Sequence, residues 1–183
     1  MILLIDCDSE KVRDIELSIQ NCGHQFITVK QNLLTKKHLD SSTACIISGN
    51  PKLISCSNIT HIKQNFSFIK DYTKAVLGIC FGHQTIALVY GADVHTNIEE
   101  RGRTKVEIII HYPLFKGLPK SAVFIEDHKE TADLPKNFTL LARSAHCSNE
   151  AMKHNDKNIF GVQFHPEMSA NGQILIRNFL NLC

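Results

Sequence analysis

No two cysteines in this 183-residue sequence have the Cys-x-x-Cys spacing, and the seven thiols are odd in number. The missing spacing argues against a four-ligand zinc site, and the odd count against a disulfide framework, so most of the cysteines are expected to be reduced core fillers. No apolar run is long enough to span a bilayer, and the opening MILLIDCDSE lacks the charged start and long apolar core of a signal peptide. A cytoplasmic location is the expectation. No excess of one charge exists either: 20 Lys and Arg against 18 Asp and Glu leave a formal +2, with the signs interleaved. That predicts neither a nucleic-acid nor a membrane partner. The locally basic run KQNLLTKKH reads as a solvated face. Internal repeats, low-complexity segments and linkers are also missing, so residues 1–183 are expected to form one domain.

What is present is an ordinary globular composition, 43% hydrophobic and 21% charged. MILLID is a short continuous apolar run, the pattern of a strand covered on both faces. In SEKVRDIELSIQNCG, Val12, Ile15, Ile19 and Cys22 recur at helical spacing, with Ser9 placed to cap and Gly23 to terminate. HQFITVK and ACIISG read as the second and third strands. NITHIKQNFSFIKDY carries Ile59, Ile62, Phe66 and Ile69 at helical spacing. KAVLGI is a fourth strand running into Cys80, and HQTIALVYG a helix ended by Gly91. Beyond Gly91, TKVEIII, SAVFIE, FTLLARS and NIFGVQF are strand-like between turn residues, and NGQILIRNFLNLC closes with a helix apolar at Ile174, Ile176, Phe179 and Leu180. Early strand–helix alternation predicts an α/β fold: an open, mostly parallel central sheet with helices on both faces and additional antiparallel strands.

Within this pattern GICFGHQ, residues 78–84, stands out. Gly-x-Cys-x-Gly has the form of a nucleophile elbow, a strand-to-helix turn so sharp that only small neighbours fit. The thiol would project above the carboxyl end of the sheet, where open α/β sheets form their crevices, and the next helix would aim its positive end at the sulfur. Taken alone, Cys80 is equally readable as a buried thiol; a nucleophile needs a base. Of ten histidines, His165 in GVQFHPE lies directly after a strand-like run, and Glu167 follows two positions later. A carboxylate there can fold back to orient the imidazole, making a thiol, base and orienter for acyl transfer; the alternative is a plain strand-end cap.

LGICFGHQ and FGVQFHPE together resemble the class I glutamine amidotransferases, a family whose glutaminases use a cysteine catalytic triad. IISGNP, RTKVEI, LFKGLP and LARSAHCSNEAMKH extend the likeness over nearly the whole chain, most closely to the separate glutaminase subunit of archaeal GMP synthase, a ligase of purine biosynthesis. The resemblance implies that Cys80 attacks the carboxamide of L-glutamine, with His165 as base then acid and Glu167 as orienter. Backbone N–H groups of Phe81 and of Gly49–Asn50 would hold the oxyanion. Gln84 would contact the substrate, as would His128 and Glu130. The ammonia would pass to a synthetase that uses ATP and Mg²⁺ to convert XMP to GMP. No phosphate-cradling Gly/Ser-rich loop occurs here, so that synthetase, an ATP pyrophosphatase, is expected as a separate subunit, with no cofactor and no metal in this chain.

Four segments depart from the family pattern. SGNP replaces Ser-Gly-Gly-Pro, and asparagine tolerates a left-handed backbone better than most residues, so the loop geometry is expected to survive at a modest cost. DCDSE replaces a glycine-containing loop. Asp127, His128, Lys129 and Glu130 fall on Ser-His-x-Asp once one residue is deleted, and PEMSANG lacks the His-Thr that often follows the last motif. Two other readings fit these residues: a weakly active paralogue serving as a binding or regulatory module, and the glutaminase of a different synthase or of a γ-glutamyl compound.

Overall fold

The computed structural model describes residues 1–183. Nine strands form one mixed sheet in the order β2-β1-β3-β4-β9-β8-β7-β5-β6. The parallel half comprises β1 (Ile2–Asp6), β2 (Phe26–Lys30), β3 (Ala44–Ile47), β4 (Ala75–Ile79) and β9 (Ile159–Val162). The strands β5 (Val94–Ile108), β6 (Ser121–Ala132), β7 (Phe138–Arg143) and β8 (Ala151–His154) add the antiparallel half.

Period-two alternation divides each central strand between two cores. Ile2, Leu4, Ile46 and Leu77 pack with α1 (Val12–Asn21) and α5 (Ala170–Leu180) on one face. Leu3, Ile5, Ile47 and Val76 pack on the other face with α3 (Ile59–Asn65) and α4 (Phe81–Val89). Because both faces are covered, these strands read as continuous apolar runs. Every residue of α4 is buried, the polar His83, Gln84 and Thr85 included.

Several local expectations need correction. Ser9 does not cap α1: the cap position is Lys11, whose backbone N–H donates to Ser9 Oγ at 3.1 Å. The helical pattern from Ile59 to Ile69 breaks at Phe66, where α3 gives way to a 3₁₀ turn, and Ile59 itself is exposed. The basic run is solvated, yet it contains a 3₁₀ turn and continues into α2 (Lys36–Ser41), begun by a Thr35–His38 capping box. Strand β5 is far longer than TKVEIII and stops before Ile109 and Ile110, which are exposed; AMKH, which no pattern flagged, is β8.

The chain leaves β1 in one direction to β2 and returns to its other side at β3, so the crevice expected of such sheets lies at the carboxyl ends of β1 and β3. There the loops after β1, β3, β4 and β9 converge. Strand β6, last in the sheet order, curls back to meet them: His165 N–H donates to Ile125 O at 2.8 Å.

Candidate active site

The elbow at β4–α4 is built by steric exclusion. Cys80 sits at φ 51°, ψ −103°, one of only two non-glycine residues with positive φ. A Cβ on Gly82 would lie 2.4 Å from Ile47 O, and one on Gly78 would lie 2.5 Å from the Gly82 carbonyl. Both glycines are therefore obligatory where helix, strand and neighbouring strand meet. Gly82→Ala is expected to cost about 2–3 kcal/mol through backbone overpacking, lowering Tm by roughly 5–10 °C; an unchanged melting curve would refute this account of the elbow.

Cys80 thereby occupies the cap position of α4, whose first N–H groups and positive dipole end face the crevice. The sulfur is almost buried, 3.9 Å from Asp127 O and 3.7 Å from Gln163 Nε2. Opposite it stands His165, with Nδ1 2.7 Å from Glu167 Oε1. Burial works against charge on the imidazole, but hydrogen bonds to Cys80 and Glu167, together with their negative charge, outweigh it and push the His165 pKa up to about 10. That favours an imidazolium held between Cys80 and Glu167.

Gly49 adjoins both partners: a Cβ there would be 3.2 Å from His165 Cε1 and 3.8 Å from Cys80 Cβ. Asn50 does not occupy the left-handed region. Its Oδ1 instead accepts the Lys52 N–H at 2.7 Å in an Asx turn that shapes the loop without a second glycine. The left-handed residue lies in the replaced DCDSE loop, where Asp8 has φ 69° and its N–H donates to Asp6 Oδ1 at 2.7 Å.

Cys80, His165, Asn50, Gln84, His128 and Glu130 share the lining of one cavity of about 590 Å³. Of the last three, Gln84 and Glu130 are committed within the protein, whereas neither ring nitrogen of His128 has a hydrogen-bond partner. Gln84 Nε2 donates to Glu130 O at 2.7 Å and to Gln163 Oε1 at 3.1 Å. The Glu130 carboxylate accepts the Ile54 and Ser55 N–H groups at 2.6 and 2.9 Å, fastening the loop after β3 to β6. His128 points into a buried acidic cluster, 3.2 Å from Glu126 and 3.8 Å from Glu100. Gln163 was not singled out from the sequence, although strand alternation puts it on the same side as His165. No group of three or more His, Cys, Asp and Glu is disposed to hold a metal ion.

Glu150 contributes a further carboxyl to this cluster, and no side-chain oxygen of Glu126 or Glu150 has a hydrogen-bond partner. Burial, then the nearby Glu100, raises the Glu126 pKa from 4.5 to about 8. A raised folded-state pKa means stability that is complete below pH 4.5 and lost as pH climbs through about 8. Over that window the unfolding constant should rise by about tenfold per pH unit for each retained proton, and Glu126→Gln should flatten the slope. Denaturant melts from pH 5 to 8.5 test this, and parallel profiles for the two proteins would refute it.

A strained thiol over a helix N-terminus, facing a carboxylate-oriented imidazole on an α/β sheet, is the constellation of a thiol-dependent acyl-transfer enzyme. The family model for glutamine amidotransferase class-I matches residues 3–182. A glutamine-hydrolysing GMP synthase subunit of Pyrococcus abyssi is 41% identical over 189 residues, covering 100% of this chain and 98% of that protein. The protein of the same name from Methanopyrus kandleri is 34% identical, with coverage of 100% and 98%. The crystal structure of a protein from Thermoplasma acidophilum, described as a GMP synthase subunit, superposes with a TM-score of 0.88 at 29% identity, covering 100% and 92%. This chain belongs to the class I glutamine amidotransferase family.

Proposed function

We propose that this chain is the glutaminase subunit of a two-subunit GMP synthase, hydrolysing L-glutamine and passing ammonia to a separate synthetase. The observation that carries the reading is that the strained Cys80 and His165 line one cavity, with Glu167 bonded to the imidazole at Nδ1. The full-length relatives named as glutamine-hydrolysing GMP synthase subunits support the choice of pathway.

In this reading the Cys80 thiolate adds to the carboxamide carbon of glutamine. The oxygen of the tetrahedral adduct takes N–H donors from Phe81 and the Gly49–Asn50 loop, each such donor contributing roughly 3 kcal/mol. His165 gives its proton to the departing nitrogen, the C–N bond breaks, and ammonia leaves a glutamyl thioester. His165 then draws a proton from water, whose oxygen attacks the thioester carbon; the C–S bond breaks, releasing glutamate and the thiolate. Glu167 holds Nδ1 throughout, keeping Nε2 toward the sulfur. Gln163 donates to that sulfur and steadies the thiolate. ATP and Mg²⁺ belong to the synthetase, which activates XMP for amination.

Co-purification with an ATP-dependent synthetase, followed by glutamine-dependent conversion of XMP to GMP, tests the proposal. The isolated chain is expected to turn over glutamine slowly and the complex at least about tenfold faster, because unregulated ammonia release wastes substrate. Full-speed hydrolysis by the chain alone would point to a stand-alone hydrolase. Ammonia supply to a different acceptor would move the chain to another synthase.

A further inference from the structure

We propose that Lys11 and Asp127 seat the α-carboxylate and α-ammonium of the substrate, and so make the site selective for free glutamine over its α-blocked derivatives. This rests on the glutaminase reading and extends it to two side chains given no role above.

The two side chains line the cavity that holds Cys80 and His165. Lys11 Nζ lies 2.6 Å from Asp127 Oδ2, with 21% and 37% of the side chains exposed. The backbone of Asp127 flanks the nucleophile, its carbonyl 3.9 Å from the Cys80 sulfur. Along β6 the side chains of Glu126, His128 and Glu130 turn inward, whereas Asp127 belongs to the alternate, less buried set. A glutamine whose carboxamide sits at the sulfur carries its α-carbon three C–C bonds away, on the order of 4 Å. Its charged groups therefore lie about one residue's reach from the thiol, in the zone of Asp127.

Charge and availability agree with that placement. The substrate end is a zwitterion, and a Lys–Asp pair presents the complementary signs. A partly exposed ion pair is held weakly in water and exchanges partners readily, so substrate replaces one contact with two. Arg101, cross-strand from Asp127, stands 3.6 Å from its other oxygen and keeps the carboxylate in place when Lys11 turns to the substrate. The groups that the resemblance indicated are less free, since Gln84 and Glu130 already bond within the protein. Lys11 follows the replaced DCDSE loop, and Asp127 stands where the family pattern has serine. One residue beside a departure and one within another thus meet in an ion pair at the cavity wall.

The test measures kcat/KM of the full chain for glutamine, Nα-acetylglutamine and glutamine α-amide, in wild type, Asp127→Ser and Lys11→Met. Wild type should discriminate against both analogues. Asp127→Ser should reduce the preference over Nα-acetylglutamine by at least about tenfold and leave the preference over the α-amide, while Lys11→Met should do the reverse. Lys11→Arg, which retains the charge, should keep the wild-type preferences and guards against a variant that fails to fold. Unchanged discrimination in folded variants, or an equal loss against both analogues in each, would overturn the assignment and reduce the pair to a structural strut. Failure of wild type to hydrolyse glutamine would instead overturn the glutaminase reading, and this inference with it.

Discussion

Cys80→Ala is expected to yield a folded chain with glutaminase activity reduced by about 10⁴-fold or more. The fold should survive because the substitution only shortens a side chain at the crevice edge, and alanine tolerates φ 51° no worse than cysteine does. The activity should not, because no other thiol can take over. Cys7, Cys45 and Cys147 are buried, and burial pushes their thiols far up, away from the reactive thiolate. Cys22, Cys56 and Cys183 all lie outside the cavity lining. Only Cys80 combines a helix N-terminus, a neighbouring imidazole and a substrate-sized cavity. An electrophilic diazo-ketone analogue of glutamine should therefore label one thiol in the wild type and none in Cys80→Ala. Labelling elsewhere, or retained turnover in the variant, would refute the proposed nucleophile.

Legibility in the sequence followed the range of the interactions. The parallel strands were readable because burial on both faces writes continuous apolar runs such as MILLID and KAVLGI. The elbow was readable because its steric demand falls on two glycines only four positions apart, Gly78 and Gly82. Strand β8 was hidden because AMKH is too short to show a period, and the true length of β5 because its outer half is exposed and polar. The break after Ile59–Asn65 leaves no mark in the sequence, since apolar spacing cannot distinguish an α-helix from an α-helix followed by a 3₁₀ turn. Within the site, hidden features were long-range. Glu130 fastening the loop after β3 is a contact across 76 residues, and the Lys11–Asp127 bridge spans 116. No local pattern encodes such pairs; they appear only when the sheet curls β6 back over the parallel half. Asn50 shows the same limit on a small scale, because the left-handed residue expected there lies instead at Asp8, in the loop after β1.

The remaining large effect separates the base from its orienter. His165→Ala should remove nearly all turnover, by about 10⁴-fold or more, since neither thiol activation nor protonation of the leaving nitrogen has another source. Glu167→Ala should leave about a hundredfold more activity than His165→Ala, because the imidazole remains and only its orientation and charge stabilisation are lost. The two variants should also differ in pH dependence. Cys80 and Glu167 together hold the His165 pKa near 10 against the cost of burial. Removing Glu167 deletes one of the two partners favouring the imidazolium, so the proton is lost at lower pH. The alkaline limb of kcat/KM in Glu167→Ala should then move toward neutrality, while the residual rate of His165→Ala should show no such limb. A Glu167 variant slower than the His165 variant, or one with an unmoved alkaline limb, would show that the carboxylate does not act through Nδ1. Its 2.7 Å contact would then be a strut for the turn at Pro166 rather than part of the chemistry.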